Sequence, residues 1–276
     1  MRIRSHDLAV CSWSLDAPGL KDIIESTASL GLSHVHLALA QLMFLDDKQK
    51  HFELGQLRAS GITVTAGMIG FPGEDYSTLA RIRLTGGFVP DEPWELRRRL
   101  TIEAAKLTRE LGIKILTTHV GFIPPSDHEL YPRLLKRVGD VAAALAELEI
   151  DLAMESGQEP ASEMLQFIND LPVRTVGVNF DPANMILYGT GDPAASVRTL
   201  GRHIRHVHIK DAAASENPGL DWGQSTPVGG GQVDFVELLD ALAEVGYTGP
   251  LAIEQESSRR GEENVRAAVI YLQSLG

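Results

Sequence analysis

Short apolar segments recur eight times along the chain, each followed by a stretch of apolar residues spaced three and four apart, with no Gly/Ser-rich or Pro-rich linker between. The segments are Leu8–Trp13, Ser33–Leu37, Ile62–Gly67, Lys114–His119, Ile150–Met154, Thr175–Phe180, His203–His208 and Pro250–Ile253. Between them Leu96, Leu100, Ala104, Leu107 and Leu111, and likewise Leu134, Val138, Val141, Leu145 and Leu148, predict amphipathic helices. Gly31, Gly61, Gly112 and Gly246 stand just ahead of a strand, where a left-handed residue closes the preceding helix without steric strain.

Strand-then-helix units of ~30 residues predict an α/β chain folded as a single (β/α)8 TIM barrel, one domain over residues 1–276. The competitor is an open doubly wound sheet, and no G-x-G-x-x-G opens the first helix as that fold would require. Gly229-Gly230-Gly231 precedes a helix without directly following a strand, and is read as a tight turn rather than a phosphate cradle.

A formal charge of −12 repels polyanions and anionic lipid surfaces, so neither nucleic acid nor membrane is an expected partner. The apolar runs Ile113–Val120 and Ile204–Ile209 are interrupted by polar residues and fall short of the roughly 20 residues of a membrane span. No apolar signal core follows the first residues. The single cysteine, Cys11, forms no intrachain disulfide, which suits a reducing compartment and makes the cytoplasm the expected location.

The chemistry is concentrated where the last four strands end. Glu155 follows Asp-Leu-Ala-Met, Asp181 follows Val-Asn-Phe, His208 lies in His-Val-His-Ile-Lys-Asp, and Glu254 follows Leu-Ala-Ile. In a barrel the C-terminal strand ends lie ~5 Å apart around one mouth, so these four side chains converge. Buried like charges repel and raise their own pKa values unless a cation neutralises them. The donor set predicts a divalent metal, Mn²⁺ first, then Mg²⁺, Co²⁺ or Zn²⁺. Taken singly, each acid would more simply cap a helix or pair with a surface lysine; four in succession at strand ends are not explained that way.

Several of these stretches resemble the sugar phosphate isomerase/epimerase group of the xylose isomerase-like TIM barrels. The resemblance spans nearly the whole chain and is carried by Cys11-Ser-Trp-Ser-Leu, Ala153-Met-Glu-Ser, Asn179-Phe-Asp-Pro-Ala-Asn, His206-Val-His-Ile-Lys-Asp, Pro227-Val-Gly-Gly-Gly-Gln-Val-Asp-Phe and Gly246-Tyr-Thr-Gly-Pro-Leu-Ala-Ile-Glu. It implies a metal held by Glu155, Asp181, His208 and Glu254, with the two glutamates as acid and base on opposite sides of a ketose. Proton abstraction beside a carbonyl would then give an enediolate, and isomerisation or epimerisation as the outcome. Loss of a β-hydroxyl instead would make a dehydratase, as in inosose dehydratase relatives, and a barrel that kept its ligands without turnover would be a sugar- or metal-binding protein. The expected partner is a small sugar or keto-polyol, with the chain acting alone or as a homo-oligomer.

The chain departs from the group at two places where ketose epimerases carry a histidine and an arginine, which here are Asn184 and Ala214. Asn184 donates hydrogen bonds but does not titrate near neutrality. Endonuclease IV is similar in fold but needs further histidines that this chain lacks. His119 is read as a contact to substrate or a packed histidine, Lys210 as a mouth cation or the partner of Asp211, and Glu256 as a weaker rival to Glu254. His206 is placed one layer deeper, and His36 nearer the mouth. Trp13, Phe71, Phe122 and Trp222 are candidate walls that exclude water. Arg259-Arg260 and Arg97-Arg98-Arg99 are read as surface charge.

Overall fold

In a computed structural model of the chain, residues 1–256 and 261–275 are described. Among them, eight parallel strands form the barrel: β1 (His6–Cys11), β2 (His34–Ala38), β3 (Thr63–Met68), β4 (Ile115–Thr118), β5 (Asp151–Glu155), β6 (Val176–Phe180), β7 (Ile204–Ile209) and β8 (Leu251–Ile253). Each pairs with the next, and β8 pairs with β1 through Leu251 opposite Leu8 and Ile253 opposite Val10, so the sheet closes. Closure excludes the doubly wound alternative, and each strand overlaps the apolar segment expected for it.

The helices form the outer ring because their apolar stripes match the outward faces of the strands. In Tyr131–Ala146 the stripe Leu134, Val138, Val141 and Leu145 is almost wholly buried, and in Phe235–Glu244 so are Leu238, Leu239 and Leu242. Burying each such side chain stabilises by roughly 1.5–3 kcal/mol. Gly31 and Gly112 close the helices ahead of β2 and β4 at φ 72° and 74°, a conformation that costs a residue with a Cβ. A two-residue strand, Arg2–Ile3, pairs antiparallel with β1 at the N-terminal end of the barrel.

Two features depart from the sequence-based expectation. After β7 the chain forms an antiparallel hairpin of Asp211–Ala213 with Gln224–Thr226. Second, Arg97 is not surface charge: it is 2 % exposed, in the helix Trp94–Glu110. Its guanidinium donates to the carbonyls of Thr85, Gly87 and Pro72 and lies 5.4 Å from the Phe71 ring centroid. Successive helical residues point about 100° apart, so one of three consecutive arginines faces inward and must find acceptors there. Arg97→Met, which keeps bulk but removes the donors, is expected to lower stability by about 3 kcal/mol in urea unfolding. A change below about 0.5 kcal/mol would show that the loop spanned by those carbonyls holds without them.

Candidate active site

Glu155 ends β5, Asp181 directly follows β6, His208 lies in β7, and Glu254 directly follows β8. The structure brings these four together, buried, with one donor atom of each lying within 4.8 Å of the others. His208 Nδ1 lies 3.0 Å from Glu254 Oε2, 3.8 Å from Glu155 Oε1 and 3.9 Å from Asp181 Oδ2.

Each carboxylate is held by a hydrogen-bond donor from a neighbouring residue. Asp181 caps the helix Pro182–Tyr188, with Oδ1 accepting from the backbone N–H groups of Ala183 and Asn184 at 2.9 and 3.2 Å. Oδ2 is left over, so capping and ligation use different oxygens of one residue. Trp13 Nε1 donates to Glu254 Oε1 at 2.7 Å, and Asn184 Nδ2 donates to Glu155 Oε1 at 3.1 Å. Trp13 is thus a hydrogen-bond donor as well as part of a wall.

His208 is oriented from beneath by a polar chain. The Thr117 hydroxyl donates to the Gly67 carbonyl at 3.2 Å, which leaves its oxygen to accept from His36 Nε2 at 2.9 Å. His36 Nδ1 lies 3.1 Å and Asn179 Nδ2 3.2 Å from His208 Nε2, and His208 Nδ1 faces the carboxylates. Burial, followed by the charges of His206 and His208, holds His36 well below the ordinary imidazole range. His206 is buried deeper, against Asn179 Oδ1 and Thr65. Cys11 lies 3.9 Å from His36, and burial pushes its thiol up to about 12, so it stays protonated.

Lys210 is 2 % exposed and lies 2.6 Å from Glu256, 3.3 Å from Glu254 and 3.4 Å from Asp181. Of the two readings the sequence left open for it, the pairing with Asp211 is overturned. Asp211 instead accepts from the backbone N–H groups of Gly229, Gly231 and Val233, which explains the glycine run: a Cβ on Gly231 would lie 2.2 Å from Asp211 Oδ1. Glu256 stands beside Lys210, not among the converging donors.

Electrostatics in the cluster are strained. Burial raises the Glu155 carboxyl despite His119 and His208, and burial would raise Glu254 too, but Lys210, then His208 and Trp13, hold it well below the usual carboxylate range. Lys210 itself, although buried, is held well above the ordinary ammonium range by Glu254, Asp181 and Glu256. Asp181 Oδ2, His208 Nδ1 and Glu254 Oε2 are buried without a hydrogen-bond partner. Three ligand-type atoms orphaned at one point, among four carboxylates and one ammonium, fit a divalent cation.

Above the cluster opens a cavity of about 470 Å³ whose lining includes Trp13, His119, Asn184, Tyr188, Lys210 and Trp222. Tyr188 packs on Trp222 with ring centroids 5.0 Å apart. His119 Nε2 lies 3.2 Å from Glu155 Oε2 and its Nδ1 lies 3.0 Å from Gln158 Nε2. Sequence reasoning missed Tyr76 and Tyr188 in this lining and Gln158 behind His119, which lie in loops or on a short helix with no period to mark them. Phe71 is not a wall but core, 7 % exposed and packed on Phe88. Phe122 leans on Tyr188 and lines a separate cavity of about 450 Å³, where Glu159 is buried. Arg259 and Arg260 lie outside the described residues.

A closed parallel barrel carrying carboxylates and an imidazole on consecutive strand ends defines a TIM barrel with a candidate metal site at its mouth. The chain belongs to the xylose isomerase-like TIM barrel family, whose model matches residues 24–275. A xylose isomerase domain protein from Planctomyces limnophilus is 30 % identical, with a TM-score of 0.87 over 98 % of this chain and 96 % of that one. An uncharacterised protein of Methanocaldococcus jannaschii is 26 % identical over 64 % of both chains. The inosose dehydratase of Lacticaseibacillus casei is 25 % identical over 44 % of this chain and 45 % of its own. The match thus spans less than two thirds of either of these two relatives. Among the described residues no helix is long and apolar enough to cross a membrane.

Proposed function

We propose that the protein is a divalent-metal-dependent isomerase or epimerase of a small keto-sugar or keto-polyol, working by proton abstraction beside the carbonyl. The observation that carries this reading is the set of three orphaned, buried ligand atoms on Asp181, His208 and Glu254 beneath an open polar cavity. Glu155, Asp181, His208 and Glu254 would hold the metal, Mn²⁺ foremost; when bound, it supplies Lewis acidity to a carbonyl and the adjacent hydroxyl.

The remaining work falls to side chains. Glu155 and Glu254 approach from β5 and β8, so one takes the proton and the other returns it. Trp13 and Asn184 each occupy one oxygen of these glutamates, which fixes where the second oxygen points. His119 at the mouth holds the second oxygen of Glu155, Lys210 offsets the negative charge of the enediolate, and Trp13 and Trp222 exclude water.

A second reading, dehydration of the same kind of substrate, is favoured by the similarity to inosose dehydratase. Both begin with one abstraction and part at the next bond. Chelator-stripped protein reloaded with Mn²⁺, Mg²⁺, Co²⁺ or Zn²⁺ and given a panel of ketoses and inososes in D₂O should incorporate deuterium beside the carbonyl only when loaded. A new aldose or epimer selects the first reading, and loss of water selects the second. Failure of every metal to raise the melting temperature, together with no exchange on any substrate, would overturn both.

A further inference from the structure

Gln158 belongs to none of the groups described so far as ligand, acid, base or wall. It lies in the loop between β5 and the helix Ala161–Asp170, is 7 % exposed, and sits behind His119 rather than facing the cluster. We infer that Gln158 is a positioning residue that locks His119 as the neutral Nε2–H tautomer, making it a fixed hydrogen-bond donor to Glu155 and not a base. The inference deepens the proposed function and rests on it for Glu155 as a metal ligand and for the identity of the reaction.

The direction of the hydrogen bonds follows from what each group is able to do. As a ligand of the proposed metal, Glu155 would be an ionised carboxylate that only accepts, so the ring atom 3.2 Å from its Oε2, His119 Nε2, would carry the hydrogen. A neutral imidazole with hydrogen on Nε2 has a lone pair on Nδ1, and the atom 3.0 Å from Nδ1 is the amide nitrogen of Gln158, a donor. An imidazolium would set donor against donor at that contact, and the Nδ1–H tautomer would set a lone pair against the carboxylate. Only one proton arrangement satisfies both ends of the ring.

The loop is built to hold the amide there. Gly157 has φ +121°, and a Cβ on it would fall 2.1 Å from Asn184 Cβ, so the chain passes directly under the residue that aims Glu155. Thr190 Oγ1 donates to the Gly157 carbonyl at 2.8 Å, and Pro160 precedes the helix start two residues beyond Gln158. Gln158 is therefore anchored on both sides, and its side chain meets His119 from a backbone with little freedom. The consequence is a division of labour: with Nδ1 occupied, His119 has no lone pair facing the cavity, and proton transfer is left to the two glutamates.

The test is a ¹⁵N-resolved NMR measurement of the His119 ring in Mg²⁺-loaded protein, the resonance being assigned by its loss in His119→Asn. Wild type should show protonated Nε2 and unprotonated Nδ1. Gln158→Glu, which presents only acceptors, should switch the ring to Nδ1–H or to imidazolium, and Gln158→Leu should leave tautomers in exchange. On a substrate showing deuterium exchange, Gln158→Leu should lower kcat about tenfold while KM and Mg²⁺ affinity move less than about threefold, and Gln158→Asn should recover part of the loss. Nδ1–H in wild type, or the same tautomer in Gln158→Glu and wild type, would overturn the inference. The ring readout needs no turnover, so a correct tautomer with no exchange on any substrate sinks the proposed reaction alone, whereas exchange with an unswitched ring sinks only the role of Gln158.

Discussion

Glu155→Gln, assayed with saturating Mn²⁺, is expected to lower deuterium incorporation by on the order of 10³-fold while leaving the melting temperature nearly unchanged. The substitution keeps the size of the side chain and leaves an amide oxygen to accept from Asn184 Nδ2, now 3.1 Å from Glu155 Oε1. It removes one charge from the donor set and replaces the acceptor facing His119 Nε2 with an N–H group. Chemistry is therefore lost without a cavity or a broken core contact. Glu254→Gln should fall comparably, because Trp13 still finds an acceptor while the oxygen beside His208 becomes a donor. Rates within about threefold of wild type in both variants would remove the glutamates from proton transfer, whereas ligand binding with no exchange in wild type would favour a binding barrel.

The parts of this site that could be read in the sequence are those where one residue's position follows from a regular element. Parallel strands buried on both faces read as apolar runs, and a charged residue that ends such a run stands at the rim, as Glu155 and Glu254 do. Asp181 is ambiguous in sequence for a physical reason: a carboxylate has two oxygens, and here capping and ligand geometry are satisfied together. The readings that failed concern partners set by tertiary folding. Lys210 and Asp211 are sequence neighbours, but the chain turns between them, and the hairpin brings Gly229 and Gly231 onto Asp211 while Lys210 meets Glu256. Gln158 had no signal, since a loop residue's orientation depends on a glycine passing under Asn184, a contact 27 residues distant in sequence. The His36 and Thr117 support of His208 is half visible: parity places them inside the barrel, but which ring nitrogen each uses depends on the carbonyl of Gly67.

Glu159 should make the protein less stable as pH rises from 5 to 8.5, and Glu159→Gln should flatten that fall. Burial, opposed only in part by the Ile123 backbone N–H and reinforced by Glu163, pushes this carboxyl from 4.5 up to about 8. The other charged or titratable groups around its cavity are Arg83, Arg133, Arg137 and His128; Arg133 and Arg137 are engaged by Asp91, and the Arg83 guanidinium lies over the Phe122 ring. The folded-state pKa exceeds the unfolded one, so between the two the folded chain binds more protons, and raising the pH favours unfolding. The cost is absent below about 4.5, grows through neutrality and is complete above about 8. Its full size is on the order of a few kcal/mol, since every tenfold change in proton affinity corresponds to about 1.4 kcal/mol. Gln keeps the acceptor for Ile123 and carries no charge to bury. Urea unfolding of the two proteins at pH 5, 7 and 8.5 should therefore start nearly together and diverge, with the variant the more stable at the alkaline end. Parallel curves across that range would mean that Glu159 is ionised in the folded state, with the cavity admitting enough water or cation to solvate it.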